Sequence, residues 1–261
     1  MSSPSHPHAE PRRDPWARLR AATPARIGLG RRGDAPPVAA MLDFQLAHAR
    51  ARDAVYAPLD VEAIAREVNP ALIVRSAATD RVTYLRRPDF GRMLDANSRD
   101  RLRHEARPEC GWDAVFVVAD GLSSIGVQQS APQLLRFCRD RLKDWSLAPV
   151  VIATQARVAL GDEIGELIGA HLCVVLIGER PGLTVANSLG VYLTWDPRVG
   201  RRDAERNCVS NVHPDGLSCR GAAEIVTWLM TEARRRKLSG VELKHEAAIE
   251  SEHVTALSHR A

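Results

Sequence analysis

The sequence predicts an α/β fold, with a Rossmann-like, mostly parallel sheet, flanking helices and a small, mainly helical N-terminal subdomain in front of it. After Pro108, short β-branched runs alternate with helical segments at the spacing of βαβ units. Before Pro108, helical periodicity dominates. The run at residues 172–177 is apolar throughout, which is typical of a strand buried on both faces of a parallel sheet.

Residues 1–22 are predicted to form an N-terminal arm. Its first 13 residues are rich in Pro, Ser, His and charge, and they are expected to be disordered because they have little apolar surface to bury. A short helix is expected next, with Asp14 as N-cap and Pro15 at the first helical position. Residues 23–38 return to loop.

The predicted helical subdomain covers residues 23–107. Its first helix runs from Val38 to about Tyr56, with an apolar side made by Leu42, Leu46, Ala49 and Ala54. The other elements expected here are a helix over Asp60–Val68 ended by Asn69-Pro70, a β-rich hairpin within Ala71–Arg87, and a helix over about Asp89–Glu105.

The predicted α/β domain covers residues 108–240. Its expected strands are Ala114–Ala119, Pro149–Ala153, Leu172–Ile177, Gly190–Trp195 and Cys208–Val212. Its expected helices are Pro132–Trp145, Gly161–Gly169 and an amphipathic closing helix over Ala222–Lys237. The tail, residues 241–261, is polar and is expected to pack weakly.

The charge distribution argues against a nucleic-acid partner. The chain has a net charge of +4, and residues 1–34 carry seven Arg against Glu10, Asp14 and Asp34, so these 34 residues hold that whole excess. The globular body is therefore neutral, which is not the footprint of a nucleic-acid-binding domain. A basic arm that associates with nucleic acid stays open as a less favoured hypothesis.

Five cysteines at long spacings fit neither a disulfide framework nor a zinc ribbon. Cys208, His213 and Cys219 lack a fourth ligand at a metal-like spacing, so no metal site is predicted. The N-terminus has no signal-peptide core, and no apolar run is long enough to span a bilayer. The sequence thus predicts a cytoplasmic protein with no membrane partner.

Gly28-Leu29-Gly30-Arg31-Arg32-Gly33 has the spacing of a dinucleotide-binding loop but not its context. Such a loop leaves a strand and opens a helix whose N-terminus receives the pyrophosphate. Here the preceding residues form a poor strand, and Pro36-Pro37 opposes an immediately following helix. The motif is therefore not interpreted as a nucleotide site.

The loops after the first three strands of the α/β domain are polar and turn-forming. If these strands are parallel, the loops share one edge of the sheet, which is where open α/β sheets bind ligands. In the third loop, Pro181 fixes φ and Gly182 permits unusual backbone angles, so Glu179 and Arg180 are expected to be held in place. Polar surface turns with solvated charges remain the alternative interpretation.

Other chemical motifs are weak. Glu163 and Glu166 are spaced to share a helix face beside Asp162, but acids in a first helical turn also simply favour the helix dipole, which is the preferred interpretation. No Gly-x-Ser-x-Gly elbow supports a hydrolase. A stand-alone α/β module that binds a nucleotide at the sheet edge therefore stays open as an alternative.

Seven segments, taken in order, resemble one family, the small (light) subunit of ethanolamine ammonia-lyase. They are residues 23–30 (TPARIGLG), 44–55 (FQLAHARARDAV), 84–92 (YLRRPDFGR), 120–123 (DGLS), 162–166 (DEIGE), 178–183 (GERPGL) and 208–213 (CVSNVH). The resemblance covers about residues 14–237.

The resemblance implies an adenosylcobalamin-dependent lyase that converts ethanolamine to acetaldehyde and ammonia by a radical mechanism. It implies that a separate large (heavy) subunit, a (β/α)₈ barrel, binds ethanolamine and carries the catalytic residues. The small subunit would complete the cobalamin site within a multi-copy hetero-oligomer and would be inactive alone. The family also implies a possible location in a bacterial microcompartment, although the Pro- and Arg-rich arm differs from amphipathic targeting arms.

By local motif, the resemblance assigns cobalamin contacts to Val158, Glu179 and Cys208. Val158 would offer backbone groups, Cys208 would pack against the cofactor, and Glu179 would accept a hydrogen bond from an amide or a ribose hydroxyl. All three lie at or beside predicted strand ends. No Asp-x-His-x-x-Gly motif is present, which agrees with the base-on cofactor of this family.

Overall fold

The structure is a computed structural model that describes residues 14–106 and 111–244. The predicted disorder of residues 1–13, the predicted domain boundary at 107/108 and most of the predicted tail lie outside these ranges.

Helices and strands alternate along most of the described chain. The helices are α1 (Ala17–Ala22), α2 (Val38–Tyr56), α3 (Val61–Val68), α4 (Arg81–Arg86), α5 (Ala96–His104), α6 (Ser124–Arg141), α7 (Leu160–Ile168) and α8 (Cys219–Arg236). The strands are β1 (Ala71–Arg75), β2 (Trp112–Ala119), β3 (Val150–Thr154), β4 (Ala170–Gly178), β5 (Leu189–Trp195) and β6 (Arg206–Val212).

The strands form one six-stranded sheet in the order β1-β3-β2-β4-β5-β6. The pairs β1/β3, β3/β2 and β2/β4 are parallel, whereas β4/β5 and β5/β6 are antiparallel. The predicted α/β class with a mostly parallel sheet is confirmed. Its likeness to a Rossmann fold is loose because of the two antiparallel pairings.

Helices cover both faces of the sheet. One core cluster joins α3, α6 and α8 to the face that carries Phe116 and Val174, and a second joins α5 and α7 to the face that carries Val117 and Val175. Because α6 and α7 follow consecutive strands but cover opposite faces, the chain reverses its winding between β2 and β4. In open α/β sheets, this reversal leaves a crevice at the carboxyl ends of the strands.

Local capping explains the elements that sequence predicts best. The predicted helix from Val38 to about Tyr56 has these bounds in the structure, and α3 begins after Asp60, whose side chain accepts from the Ala63 backbone N–H at 2.9 Å. Helix α7 ends at Gly169, whose φ of 73° is left-handed.

Three sequence predictions are wrong in detail. The expected hairpin within residues 71–87 is instead a single strand, β1, followed by α4. The expected helix over 89–105 is a 3₁₀ turn (Phe90–Arg92) followed by α5, which Asp95 caps. Helix α6 begins at Ser124 and not at Pro132, because Ser123 caps it and the proline sits in the helix interior.

Strand β1, which lies in the predicted helical subdomain, pairs with β3 of the predicted α/β domain in the one sheet. The prediction that the tail packs weakly fails for its first residues. Leu243 is buried, and its carbonyl accepts a hydrogen bond from the Asn207 amide at 2.6 Å.

Candidate functional site

The crevice between β2 and β4 is narrow because glycines meet there. Gly121 follows β2 with a φ of +56°, and a Cβ on it would come within 2.2 Å of the Gly178 carbonyl oxygen at the end of β4. The Leu122 N–H donates to that same carbonyl at 2.9 Å. A side chain at Gly121 would force the two loops apart, so glycine is required on both steric and conformational grounds.

Asp120, at the end of β2, holds the loop after β3. Its carboxylate accepts hydrogen bonds from the backbone N–H groups of Gln155 (2.8 Å) and Ala156 (3.0 Å). Burial raises the pKa of Asp120, while these two N–H donors and the Arg81 guanidinium, 3.6 Å away, oppose that shift. The fixed backbone includes Gln155 at a left-handed φ of 54°.

Tyr84, from α4, supports the same loop from the other side. Its hydroxyl donates to the Ala156 carbonyl at 3.2 Å, and its ring lies 4.2 Å from the guanidinium carbon of Arg157. Arg157 also donates from Nη2 to the Tyr84 carbonyl, while its Nε is buried and has no hydrogen-bond partner. Val158 therefore follows a loop that is fixed at several points.

Glu179 directly follows β4 and is half-buried. Its N–H donates to the Ser188 carbonyl at 3.0 Å, and its Oε2 accepts from the Ser188 hydroxyl and, at 3.4 Å, from the Asn211 N–H. These bonds orient the carboxylate along the sheet edge. The neighbouring Arg180 is exposed, so the prediction that the turn holds both charges in place is met by Glu179 only.

The rigidity of the turn after β4 has a different cause from the one predicted. Gly182 does not take a left-handed φ, and its N–H donates to the Val185 carbonyl at 2.7 Å. The turn is closed by this backbone bond.

Cys208 lies within β6, not at its start, because the strand begins at Arg206. It pairs across the sheet with Tyr192. Burial raises the pKa of Tyr192 to about 12. Cys208 is classed as exposed, but neighbouring atoms partly desolvate its thiol, and this raises the thiol's pKa. Both groups therefore keep their protons at neutral pH.

Two adjacent cavities bring the three predicted residues together. The first, of about 420 Å³, is lined by Gly121, Val158, Glu179 and their neighbours. The second, of about 260 Å³, is lined by Arg92, Val158, Asp203, Arg206, Cys208 and their neighbours. Arg157, Val158 and Tyr192 line both, so they form the wall that the cavities share. We call this pair the edge site.

A buried ion pair supports the floor of the second cavity. Arg206 binds Asp162 in a bidentate manner, with distances of 2.5 and 2.7 Å, and both side chains are 3% exposed. Desolvation raises the pKa of Asp162. For Arg206, burial acts to lower the pKa, but the hydrogen bonds that it donates to the Asp162 carboxylate, together with the charge of that carboxylate, outweigh burial and leave the pKa above its ordinary value.

The other α7 acids also serve the fold. Glu163 accepts from the Leu94 N–H at 2.7 Å and pairs with Arg99, and Glu166 accepts from the Val199 N–H at 3.0 Å. Neither residue lines the edge site.

Sequence reasoning missed Arg157, Tyr192 and the role of Asp120 in holding the loop. Tyr84 and Tyr192 are two of the three tyrosines in the chain. Because tyrosine is so rare here, its presence near the polar ends of strands could have pointed to a site at this edge. The register that sets Tyr192 opposite Cys208 was not available without the antiparallel pairing.

A further cavity, of about 630 Å³, lies beside the loop before α2. It is lined by Trp16, Gly28, Gly30 and residues of α2. From residue 14 to the loop before α2 the structure has no strand, and α2 begins only at Val38, so the glycine motif lacks the setting of a dinucleotide site.

In the described ranges, no group of three or more His, Cys, Asp or Glu side chains is arranged to hold a metal ion. No helix in the same part of the chain is both long and apolar enough to cross a membrane.

The fold and the edge site define a mixed α/β chain with two open, adjacent cavities at the switch point of its sheet. The family model described as "Ethanolamine ammonia-lyase light chain (EutC)" matches residues 13–244. The chain belongs to this family. It is therefore a small subunit of ethanolamine ammonia-lyase, part of a lyase complex of ethanolamine degradation, and the name implies a large partner subunit.

Curated relatives agree with that assignment. The chain is 54% identical over 243 residues to the ethanolamine ammonia-lyase small subunit of Azotobacter vinelandii, covering 90% of each chain. It is 50% identical over 245 residues to that of Pseudomonas fluorescens strain Pf0-1, covering 91% of this chain and 89% of the relative. It is 52% identical over 245 residues to that of Pseudomonas aeruginosa strain LESB58, covering 91% and 90%.

Proposed function

We propose that the edge site of this small subunit covers one side of adenosylcobalamin, and that the large subunit supplies the rest of the cofactor site, the ethanolamine site and the catalytic residues. The observation that carries the proposal is the convergence of Val158, Glu179 and Cys208 on two adjacent cavities. These positions are far apart in sequence and were assigned from local motifs alone.

The donors and acceptors of the edge site fit a corrinoid. Glu179 offers an acceptor for the many side-chain amides of the corrin, Tyr192 offers a hydroxyl, and Val158 offers apolar surface. Arg157 lines both cavities, and its buried Nε has no hydrogen-bond partner, which is unusual in a folded chain unless a ligand or water satisfies it.

The size of the edge site favours a shared binding site. Sites that enclose a drug-sized ligand are about 300–1,000 Å³. Cobalamin is much larger than such a ligand, yet the two cavities measure only about 420 and 260 Å³ and are open to solvent. A second chain would have to enclose the remainder of the cofactor.

The residues of this chain would bind and orient the cofactor. When bound, adenosylcobalamin supplies a radical by homolysis of its cobalt–carbon bond, and protein positions it. Glu179 would accept a hydrogen bond, and the fixed 154–158 loop would hold Val158 in position against the corrin. Since the pKa of Cys208 is raised, we expect a packing role for its protonated thiol and no nucleophilic role.

The surface for the large subunit would include α2. Val38, Leu42 and Leu46 repeat at helical spacing and are 65%, 57% and 51% exposed, and Ala54 is the only residue of α2 that is buried. A helix whose apolar stripe faces solvent is typical of an interface that another chain covers. The complex would be a multi-copy hetero-oligomer. Location in a microcompartment stays a prediction, because the first 13 residues of the arm lie outside the described ranges.

The test is acetaldehyde release from ethanolamine and adenosylcobalamin by this chain alone, by its large subunit alone and by the mixture. We expect product from the mixture only. The proposal fails if either subunit alone is as active as the mixture, if the folded, associated mixture is inactive, or if activity does not need adenosylcobalamin.

A further inference from the structure

Arg157 has a hydrogen-bonding capacity that the chain does not use. Its guanidinium lies against the Tyr84 ring, and its Nη2 donates a hydrogen bond to the Tyr84 carbonyl. Nε is buried and unpartnered, and in the described ranges no carboxylate lies within ion-pair distance of the guanidinium. Arg157 lines both cavities of the edge site, so a ligand bound there can meet the charge of its guanidinium.

The second cavity has an excess of positive charge beside this guanidinium. Its charged lining consists of Arg92, Arg157, Arg206 and Asp203. Arg206 is neutralised by its bidentate bond to Asp162, and Asp203 lies 3.6 Å from Arg206 Nε. Arg92 and Arg157 therefore remain as cations that no carboxylate of residues 14–106 or 111–244 pairs with directly.

Such a pair of guanidinium groups favours an anion with several acceptor oxygens. Arginine binds phosphate in a forked geometry, with two parallel N–H···O bonds, and such charge-assisted bonds are about twice as strong as neutral ones. Cobalamin carries one anionic group, the phosphodiester of its nucleotide tail, whereas its corrin side chains are neutral amides.

Resting on the cobalamin function above, we propose that the second cavity is the subsite for this phosphodiester, with Arg157 as its main contact and Arg92 as an outer one. The tail would enter between Cys208 and Arg157, and the corrin would lie toward Glu179. The second cavity would then hold the anionic part of the cofactor, and the first cavity would face the amide-bearing corrin.

The experiment measures dissociation constants of the reconstituted large–small complex for three ligands. They are adenosylcobalamin, adenosylcobinamide phosphate, and adenosylcobinamide, which lacks the phosphate, ribose and base of the nucleotide tail. Arg157→Gln removes the charge. Arg86→Gln is the matched control, because Arg86 is exposed on the neighbouring helix and lines neither cavity.

Loss of one hydrogen-bonded charge contact predicts that Arg157→Gln weakens binding of adenosylcobalamin and adenosylcobinamide phosphate by roughly 10- to 100-fold. Binding of adenosylcobinamide should be unchanged, and Arg86→Gln should alter none of the three. An equal loss for all three ligands, or no loss for any, would overturn the phosphate assignment. A loss confined to adenosylcobalamin would also overturn it and would assign Arg157 to the ribose or base.

A second measurement does not depend on cobinamide. Raising the salt concentration should weaken adenosylcobalamin binding to the wild-type and Arg86→Gln complexes more steeply than to Arg157→Gln, since only the latter lacks the ionic contact. Equal salt dependence in all three would refute the proposal. If the wild-type complex binds no corrinoid at all, the cobalamin function itself fails, and this result is distinct from each outcome above.

Discussion

The orientation of Glu179 depends on residues from two other strands. Ser188 lies just before β5 and Asn211 lies in β6, and both donate to the same carboxylate oxygen. The sequence places Glu179 after a strand, but only the antiparallel half of the sheet explains why its carboxylate faces along the edge. Arg157 shows the opposite case, since it adjoins Val158 in sequence and was overlooked because its role depends on contacts with Tyr84.

Replacing Glu179 by Ala should weaken adenosylcobalamin binding to the assembled complex by about tenfold, because one hydrogen bond to a charged acceptor is lost. Equilibrium titration of the complex with the cofactor measures this. Glu166→Ala is the matched control, since Glu166 lies outside the edge site and accepts from the Val199 backbone. Equal affinities for the Glu179→Ala and wild-type complexes would remove Glu179 from the cofactor site.

Cys208 should react slowly with iodoacetamide near pH 7, and its rate should rise as the pH approaches its raised pKa. The reason is that the thiolate is the reactive form and the raised pKa keeps the group protonated. In the assembled complex, adenosylcobalamin should further protect Cys208 but leave the rate at Cys219 unchanged. Mass spectrometry of labelled peptides gives both rates, and an unchanged Cys208 rate with bound cofactor would argue against its packing role.

At the scale of elements, capping residues and termination signals made several helices predictable. Asp60 and Asn69-Pro70 bound α3, and Gly169 ends α7. The start of α6 was mistaken because Pro132 resembles a first-turn proline, although it occupies the helix interior. Strand β1 was assigned to a hairpin because its pairing with β3, a segment about 80 residues away, leaves no local signal.

Asp120→Asn should destabilise the chain by about 1–3 kcal/mol, because an amide nitrogen would face one of two backbone N–H groups that now donate to the carboxylate. The same variant should weaken cofactor binding by the complex, since the loop that carries Val158 loses its anchor. Urea unfolding and cofactor titration test the two effects.

Asp100→Asn is the control for Asp120→Asn. It removes only an exposed ion pair with Arg103, a kind of contact that contributes little to stability. If Asp120→Asn were no less stable than Asp100→Asn, Asp120 would not be the anchor of the loop.

At the scale of the molecule, the parallel half of the sheet follows from the alternation of strands and helices. The direction of β5 was not predicted, although residues 179–188 are too few for a crossover helix and so favour antiparallel pairing. On the apolar side expected for α2, Leu42 and Leu46 are exposed to solvent, whereas Ala54 is buried. Sequence periodicity reports that a face is apolar and does not report which chain covers it.

Leu42→Asp should leave the free small subunit folded and weaken its association with the large subunit by roughly 10- to 100-fold. This is the effect expected when burial of one leucine side chain, about 1.5–3 kcal/mol, is lost at an interface. Analytical ultracentrifugation of the mixed subunits measures the change.

Val199→Asp is the matched control for Leu42→Asp, since Val199 is a single exposed apolar residue, 69% exposed, outside α2. Association that is weakened equally by both variants, or by neither, would show that α2 is not the interface.

The central claim is that this chain supplies one side of the cobalamin site. Its most direct test is adenosylcobalamin affinity, measured by equilibrium titration for the small subunit, the large subunit and the reconstituted complex. The account predicts tight binding by the complex only, with at least tenfold weaker binding by each subunit alone. Binding by the large subunit alone that is as tight as binding by the complex would contradict it, because the edge site would then contribute nothing to the cofactor.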